Sequence, residues 1–340
     1  VRELLELKLI ESIGYSTSIM GRPKQLLQLN ANGREAIGIQ IEPHKISGGL
    51  VNLSGQVKTK TSALLLPTDS QDVLFNKLKS IVEKLLTKAS KKTLLGIGLA
   101  THGIIDKKTG VVLQSARFPG WLGVNISDFF KEHFKMNVSY EDNTRCKAIA
   151  EHWIGAARNI EDFVLLDLGY GIGCSIVNGG NLLSGITNTA GELGHNVIVF
   201  DGKACRCGMK GCLEAMAAIP SIEEAFSEQF PEYANSSFKE ICTLAEQGHR
   251  GAISVIEDAG GYIGIATSSI VNVLNPGYLI ICGELMSAGS IVENAIKKGI
   301  ESHAIPSSYK ALNIINGKSG DDGAIIGAGM LVLGKVFNPA

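Results

Sequence analysis

No apolar run in the 340 residues reaches the roughly 18 needed to cross a bilayer, so no membrane-spanning helix is expected. An excess of charge of either sign is also lacking. The 32 Lys and Arg offset 33 Asp and Glu, and a net charge of -1 gives no global attraction to nucleic acid or membrane surfaces. There is no tandem repeat, no low-complexity linker and nothing resembling a secretory signal. The seven cysteines are an odd number, and four of them (Cys146, Cys174, Cys242, Cys282) are scattered through apolar runs, which speaks against a disulfide framework. A reducing cytoplasm is the expected location. What remains is a chain that is 45% hydrophobic, able to bury a sizeable core and long enough for two domains. Its 40 glycines cluster after apolar strand-like runs, as in α/β proteins that place glycine turns near ligands. The sequence opens at Val1 without a methionine, within an apparent helix, so the natural start is expected upstream.

The most informative stretch is GELGHNVIVFDGKACRCGMKGCLE, from Gly191 to Glu214. It carries Cys205, Cys207 and Cys212, with His195 ten residues before the first of them. Three thiolates and one imidazole make a closed tetrahedral zinc site, and the tight C-x-C pair with Gly208 and Gly211 suits a small knuckle around one ion. A disulfide or a group of buried free thiols is the plainer alternative. Clustered cysteines in a reducing compartment more often bind metal, and structural zinc is the expectation. Glu192 and Glu214 flank the ligands. A hydrolytic zinc would need an open position that three thiolates and a histidine do not leave, so the acids are read as pointing elsewhere. Carboxylates on a rigid loop suit sugar hydroxyls, because each can accept two hydrogen bonds. Solvated surface acids would have the same spacing.

Periodicity predicts a helix over residues 2–13, ended by Gly14, then an apolar strand in GRPKQLLQLN. Three consecutive strands follow in AIGIQIEP, HKISGGLVNLSG and TSALLLP. A helix is expected from Asp72 to Thr87, a buried strand in LLGIGLA, and a strand in VSYED running into a helix from Thr144 to about Gly155. FVLLDLGYGIGCSIVNGG reads as a β-hairpin, and helices dominate from Ser221 to about Asn275. GYLIICGEL is a buried strand, and GDDGAIIGAGMLVLGKVF an apolar helix. Such an order fits two α/β domains around a cleft, with ligand near the loops at 101–103, 141–143 and 169–173.

With these pieces in view the chain resembles the ROK family, which groups sugar-responsive repressors with sugar kinases. GELGH followed by CRCGMKGCLE is similar to the family's zinc and sugar segment, and FPGW at 118–121, EDNTRCKAIAE at 141–151 and GDDGAIIGAG at 320–329 fall in the family order. GRPKQLLQLN resembles the junction after the winged helix in the repressor branch, as in xylose and N-acetylglucosamine repressors. The resemblance implies a two-lobed actin-like ATPase (ribonuclease H-like) α/β fold, with the C-terminal part of a winged helix at the N-terminus. The divisions it implies are 1–35 for that remnant, 36–145 with 322–340 for a small lobe, and 146–321 for a larger lobe carrying the knuckle. It further implies that His195, Cys205, Cys207 and Cys212 hold structural zinc. Glu192, Glu214, His195, Asp142 and Asn143 would face a sugar in the cleft between the lobes.

Three places depart from the kinase pattern. Family kinases carry G-I-D-I-G-G-T in the first hairpin, whereas this chain has Gly38-Ile39-Gln40-Ile41-Glu42-Pro43-His44. Pro43 has no N–H, Glu42 repels phosphate, and Gln40 lacks the anionic oxygen that magnesium favours. The sugar pair reads Asp142 then Asn143, so the position of the general base holds an amide unless the register shifts. Tyr170 stands in a phosphate-side turn where kinases keep a threonine. The expectation is a non-enzymatic repressor of carbohydrate-utilisation genes that binds a sugar inducer. Its partners would be operator DNA, through the winged helix of the full-length protein, and further copies of itself in a homodimer or homotetramer. Arg2, Lys8, Arg22 and Lys24 alone form a weak basic set, so this segment by itself should bind DNA poorly. The alternative is an ATP-dependent hexose kinase of the same family.

Overall fold

The structure, a computed structural model, describes residues 1–16, 23–66, 68–114 and 121–337. They form two compact units, Val1–Arg158 with Ser319–Ala340, and Asn159–Lys318.

The first unit opens with a short helix α1 (Arg2–Glu6) and an antiparallel hairpin of β1 (Ile10–Tyr15) and β2 (Gln25–Leu29). The helix expected over 2–13 is therefore corrected: its second half is strand. Lys8 takes a positive φ of 57°, and Leu9 is completely buried, which turns the chain out of the helix. The following Ile-Glu-Ser-Ile finds a strand partner in β2, and five helical residues have little intrinsic stability to oppose it. Gly14, expected as a helix stop, lies at a bulge in β1 with φ +117°.

The sheet of this unit begins with a meander, β3 (Glu35–Glu42), β4 (Lys45–Asn52) and β5 (Val57–Leu64). Helix α2 (Gln71–Leu86) follows, capped by Ser70, then β6 (Leu94–Thr101), the small hairpin β7 (Ile104–Ile105) and β8 (Val112–Gln114), and α3 (Ile126–Phe134). β9 (Val138–Asp142) runs directly into α4 (Asn143–Trp153). The strand order is β5-β4-β3-β6-β9, with β3, β6 and β9 parallel. Ile37, Ile39 and Ile41 pack with the α2 residues Leu74, Leu78 and Ile81 and with Phe130 of α3.

The second unit has β10 (Phe163–Leu168), β11 (Ile172–Asn178) and the short β12 (Asn181–Leu182). Helices α5 (Leu213–Ala217), α6 (Ile219–Gln229), α7 (Phe238–Glu246) and α8 (Arg250–Leu274) lead to β13 (Tyr278–Cys282). Then come α9 (Ser290–His303), α10 (Pro306–Ala311) and β14 (Asn313–Asn316). The strand order is β12-β11-β10-β13-β14, with β10, β13 and β14 parallel. Its core joins Leu166 and Leu168 to Ile256 and Ile263 of α8 and Ile296 of α9.

The chain then returns to the first unit as α11 (Gly323–Leu333). This helix lies on the face of β3 and β6 with no side chain between: a Cβ at Gly38 would come 2.0 Å from the Ile325 carbonyl, and one at Gly98 1.8 Å from that of Ala328.

Candidate metal centre and ligand-facing residues

The segment after β11 is held by backbone contacts before any metal is considered. A Cβ at Gly191 would meet the Cys174 carbonyl at 2.3 Å, so this loop passes against β11 at a point open only to glycine. Leu193–His195 then forms a single 3-10 turn, which presents the imidazole. Cys205 and Cys207 sit in a tight turn in which the Cys205 N–H donates to the Met209 carbonyl at 2.7 Å and the Gly208 N–H to that of Cys205 at 3.0 Å. Bridges between Val197 and Cys212 and between Ala204 and Lys210 close the knuckle, and Cys212 is the buried residue preceding α5.

These elements bring His195, Cys205, Cys207 and Cys212 together, with one ligand atom from each inside 4.8 Å of the others. The Cys207 and Cys212 sulfurs are 3.6 Å apart, and the Cys205 sulfur is 3.7 Å from His195 Nδ1. A disulfide would need about 2.05 Å. A tetrahedron with metal–sulfur bonds near 2.3 Å and metal–nitrogen bonds near 2.05 Å has edges of about 3.6–3.8 Å. The donor set and its spacing thus fit one tetrahedral ion. Burial, then hydrogen bonds from the other two thiols, pushes the Cys212 thiol up to about 12. Burial also raises Cys205. At Cys207 burial is outweighed by the Met209 amide and the neighbouring thiols, and the value falls. A cation among the three sulfurs would stabilise all three as thiolates.

Both acids of the segment have defined neighbours. Glu192 Oε2 lies 3.8 Å from His195 Nε2, so the imidazole has its Nδ1 toward the cysteines and its other nitrogen toward this carboxylate. Glu214, in the first turn of α5, accepts the Ile172 N–H at 3.1 Å and so fastens the β10–β11 turn to the knuckle. Tyr170 is exposed in that turn, where the Gly169 N–H donates to the Gly171 carbonyl at 2.9 Å.

Asp142 and Asn143 belong to the first unit. Asp142 caps α4, accepting from the N–H groups of Thr144 at 2.8 Å and Arg145 at 3.3 Å, and burial raises its carboxyl above the usual range. Asn143 is buried and donates through Nδ2 to the Ile41 carbonyl at the end of β3 (3.0 Å); its Oδ1 has no partner among the described residues. Beside them is a charge network that sequence reasoning missed. Glu141 is buried between Arg145 at 3.1 Å and Lys107 at 2.7 Å. The four-residue spacing of Glu141 and Arg145 was a signal, but Lys107 comes from the β7–β8 hairpin and is remote in sequence.

On β3, Gln40 is buried. The turn to β4 is closed by an ion pair between Glu42 and Lys45 at 3.6 Å, with Pro43 and His44 at its tip. Of the expected FPGW segment only Trp121 lies among the described residues, and it is buried; Arg22 also lies outside them.

The ROK family profile matches residues 36–335. The chain belongs to the ROK family. A ROK relative, the glucokinase of Halalkalibacterium halodurans, is 29% identical over 314 residues, covering 87% of this chain and 94% of that protein. The xylose repressor of Bacillus spizizenii is 26% identical over 336 residues, covering 98% of this chain and 86% of the repressor. Among solved structures, a ROK family transcriptional regulator described as a homologue of the E. coli MLC protein superposes with a TM-score of 0.83 at 25% identity. That match covers 98% of this chain and 86% of the other. The α/β units take the actin-like ATPase fold of the ROK family. ROK relatives of this chain comprise both repressors and glucokinases. No helix among the described residues is long and apolar enough to cross a membrane.

Proposed function

We propose that this ROK chain is a sugar-responsive transcriptional regulator, a repressor of carbohydrate-utilisation genes that binds a sugar effector and does not phosphorylate it. The observation that carries the reading is the β3–β4 turn. A phosphate-binding turn needs backbone N–H groups aimed at the anion, and a carboxylate at one of its glycine positions repels that anion. Here Pro43 offers no N–H, and Glu42 places a carboxylate at the turn, paired with Lys45. Asn143, at the position of the kinases' general base, is an amide already committed to the Ile41 carbonyl. The extent of the matches supports the same side: the repressor match takes in 98% of this chain and the glucokinase match 87%. Residues 1–35 lie outside the family profile, and we read α1 with the β1–β2 hairpin as the end and wing of a winged helix.

In this reading Glu192, Glu214, His195, Asp142 and Asn143 face the sugar. His195, Cys205, Cys207 and Cys212 hold a structural zinc whose contribution is to fix the loop rather than to activate water. The sugar would act through its different affinities for two conformations of a dimer or tetramer bound to operator DNA. The alternative is a hexose kinase, favoured by the 29% identity to a glucokinase. D-xylose, N-acetylglucosamine and D-glucose, each with Mg-ATP in a coupled assay for ADP release, separate the two. The regulator shows a sugar-dependent thermal shift without turnover. Turnover above background overturns it, as does an operator affinity of the full-length protein that no sugar changes.

A further inference from the structure

The chain leaves the first unit between Arg158 and Asn159 and returns to it between Lys318 and Ser319. One side chain holds both of these segments. Glu151, on α4, is 0% exposed; its Oε2 accepts the Ala156 N–H at 2.6 Å and its Oε1 accepts the Ser319 N–H at 2.7 Å. Its backbone carbonyl accepts from Gly155 at 3.0 Å and Ala157 at 3.1 Å, so the outgoing segment is gripped twice. Gly155 leaves room for this, since a Cβ there would lie 2.0 Å from Oε2. A carboxylate withdrawn from water is costly, and short charge-assisted bonds to two segments offset that cost. Filling the core alone would be served better by an apolar side chain.

Helix α4 gives the grip a reach. It starts at Asp142 and Asn143, and Glu151 lies eight residues on, about 12 Å along the axis. Helix α11 starts four residues after Ser319 and meets α4 backbone to backbone, a Cβ at Gly327 falling 1.8 Å from the Cys146 carbonyl. The two helices cannot slide past one another without separating.

We propose that Glu151 is a positioning residue that makes one pivot of the two crossover segments, so that effector contact at the N-terminal end of α4 moves both together. The effector part rests on the sugar-sensor reading; the pivot does not. Hydrogen exchange on the full chain tests it with two variants. Glu151→Gln keeps one acceptor and turns a donor against the other amide. Gly155→Ala displaces the carboxylate without removing it. In both, without sugar, the amides of Ala156 and Ser319 should exchange roughly ten- to a hundredfold faster while those of β3 and β6 keep their rates. D-xylose, N-acetylglucosamine or D-glucose should protect the start of α4 and both crossover segments in the parent. In Glu151→Gln the same sugar should protect the start of α4 alone. Unchanged exchange at either amide, uniform acceleration through the unit, or unfolding of both variants overturns the pivot. If no sugar protects the parent, the sensor reading fails while the sugar-free comparison still decides the pivot.

Discussion

The cysteine knuckle of the second unit and the β3–β4 turn of the first are both tight, glycine- or proline-bearing turns, yet they use their polar groups in opposite ways. In the knuckle, backbone hydrogen bonds build the turn and three sulfurs and a ring nitrogen converge on one another, inside 4.8 Å. In the β3–β4 turn the charges face each other, Glu42 against Lys45, and the tip residue Pro43 has no amide to offer. One turn gathers four donors that could hold a metal ion, and the other pairs its own charges.

The largest effect is expected from the knuckle. Cys207→Ala should lose zinc entirely, measured by elemental analysis of the purified protein. Because metal binding energy is folding energy for such a loop, residues 192–214 should then become open to proteolysis. A full zinc complement in this variant would break the comparison. Next comes the opposite turn: Glu42→Gly with Pro43→Gly removes the carboxylate and restores an amide. Calorimetry should detect Mg-ATP at about millimolar affinity in this double variant and none in the parent. Equal heats for the two proteins would mean that the turn is not what excludes nucleotide.

Glu214→Gln is expected to have a smaller effect. Weakening the charge-assisted bond to the Ile172 amide should cost about 1–2 kcal/mol and lower the melting temperature by about 2–5 °C with zinc retained. Loss of zinc together with stability would place this acid in the support of the metal. The smallest effect belongs to Asp142. Its folded value is raised above 3.8, mainly by burial, so its contribution favours the fold at pH below 3.8 and is lost as pH climbs through the raised value. Asp142→Asn keeps an oxygen for the cap and removes the charge. The variant should melt slightly above the parent at pH 7, and the difference should shrink toward pH 4. A difference that grows on acidification would contradict burial as the cause.

The parts legible in the sequence were those whose cause is local. The spacing of Cys205, Cys207 and Cys212 announces a tight turn that brings three sulfurs together, and the ladder of Ile37, Ile39 and Ile41 announces a strand. The expected meander and the strand-to-helix step at Asp142 appear in the structure, as does the hairpin of β10 and β11. The rest depended on partners far along the chain. Ile10 and Ile13 satisfy a helical period as well as a strand, and only Leu26–Leu29 across the hairpin decides between them. The grip of Glu151 on Ser319 spans 168 positions, and no window of sequence contains both. Lys107 finds Glu141 across 34 residues for the same reason.

The placement of α11 has a consequence for synthesis. Gly38 and Gly98 form a strip on β3 and β6 that the backbone of this helix covers closely, and the ribosome delivers it after the whole of the second unit. The second unit is continuous in sequence and can fold as soon as it emerges. The first must wait, half-built, with that glycine strip bare. A nascent chain stalled before Gly323 would therefore present one finished unit and one unfinished one, and chaperones and proteases would find their target in the earlier-made part of the protein.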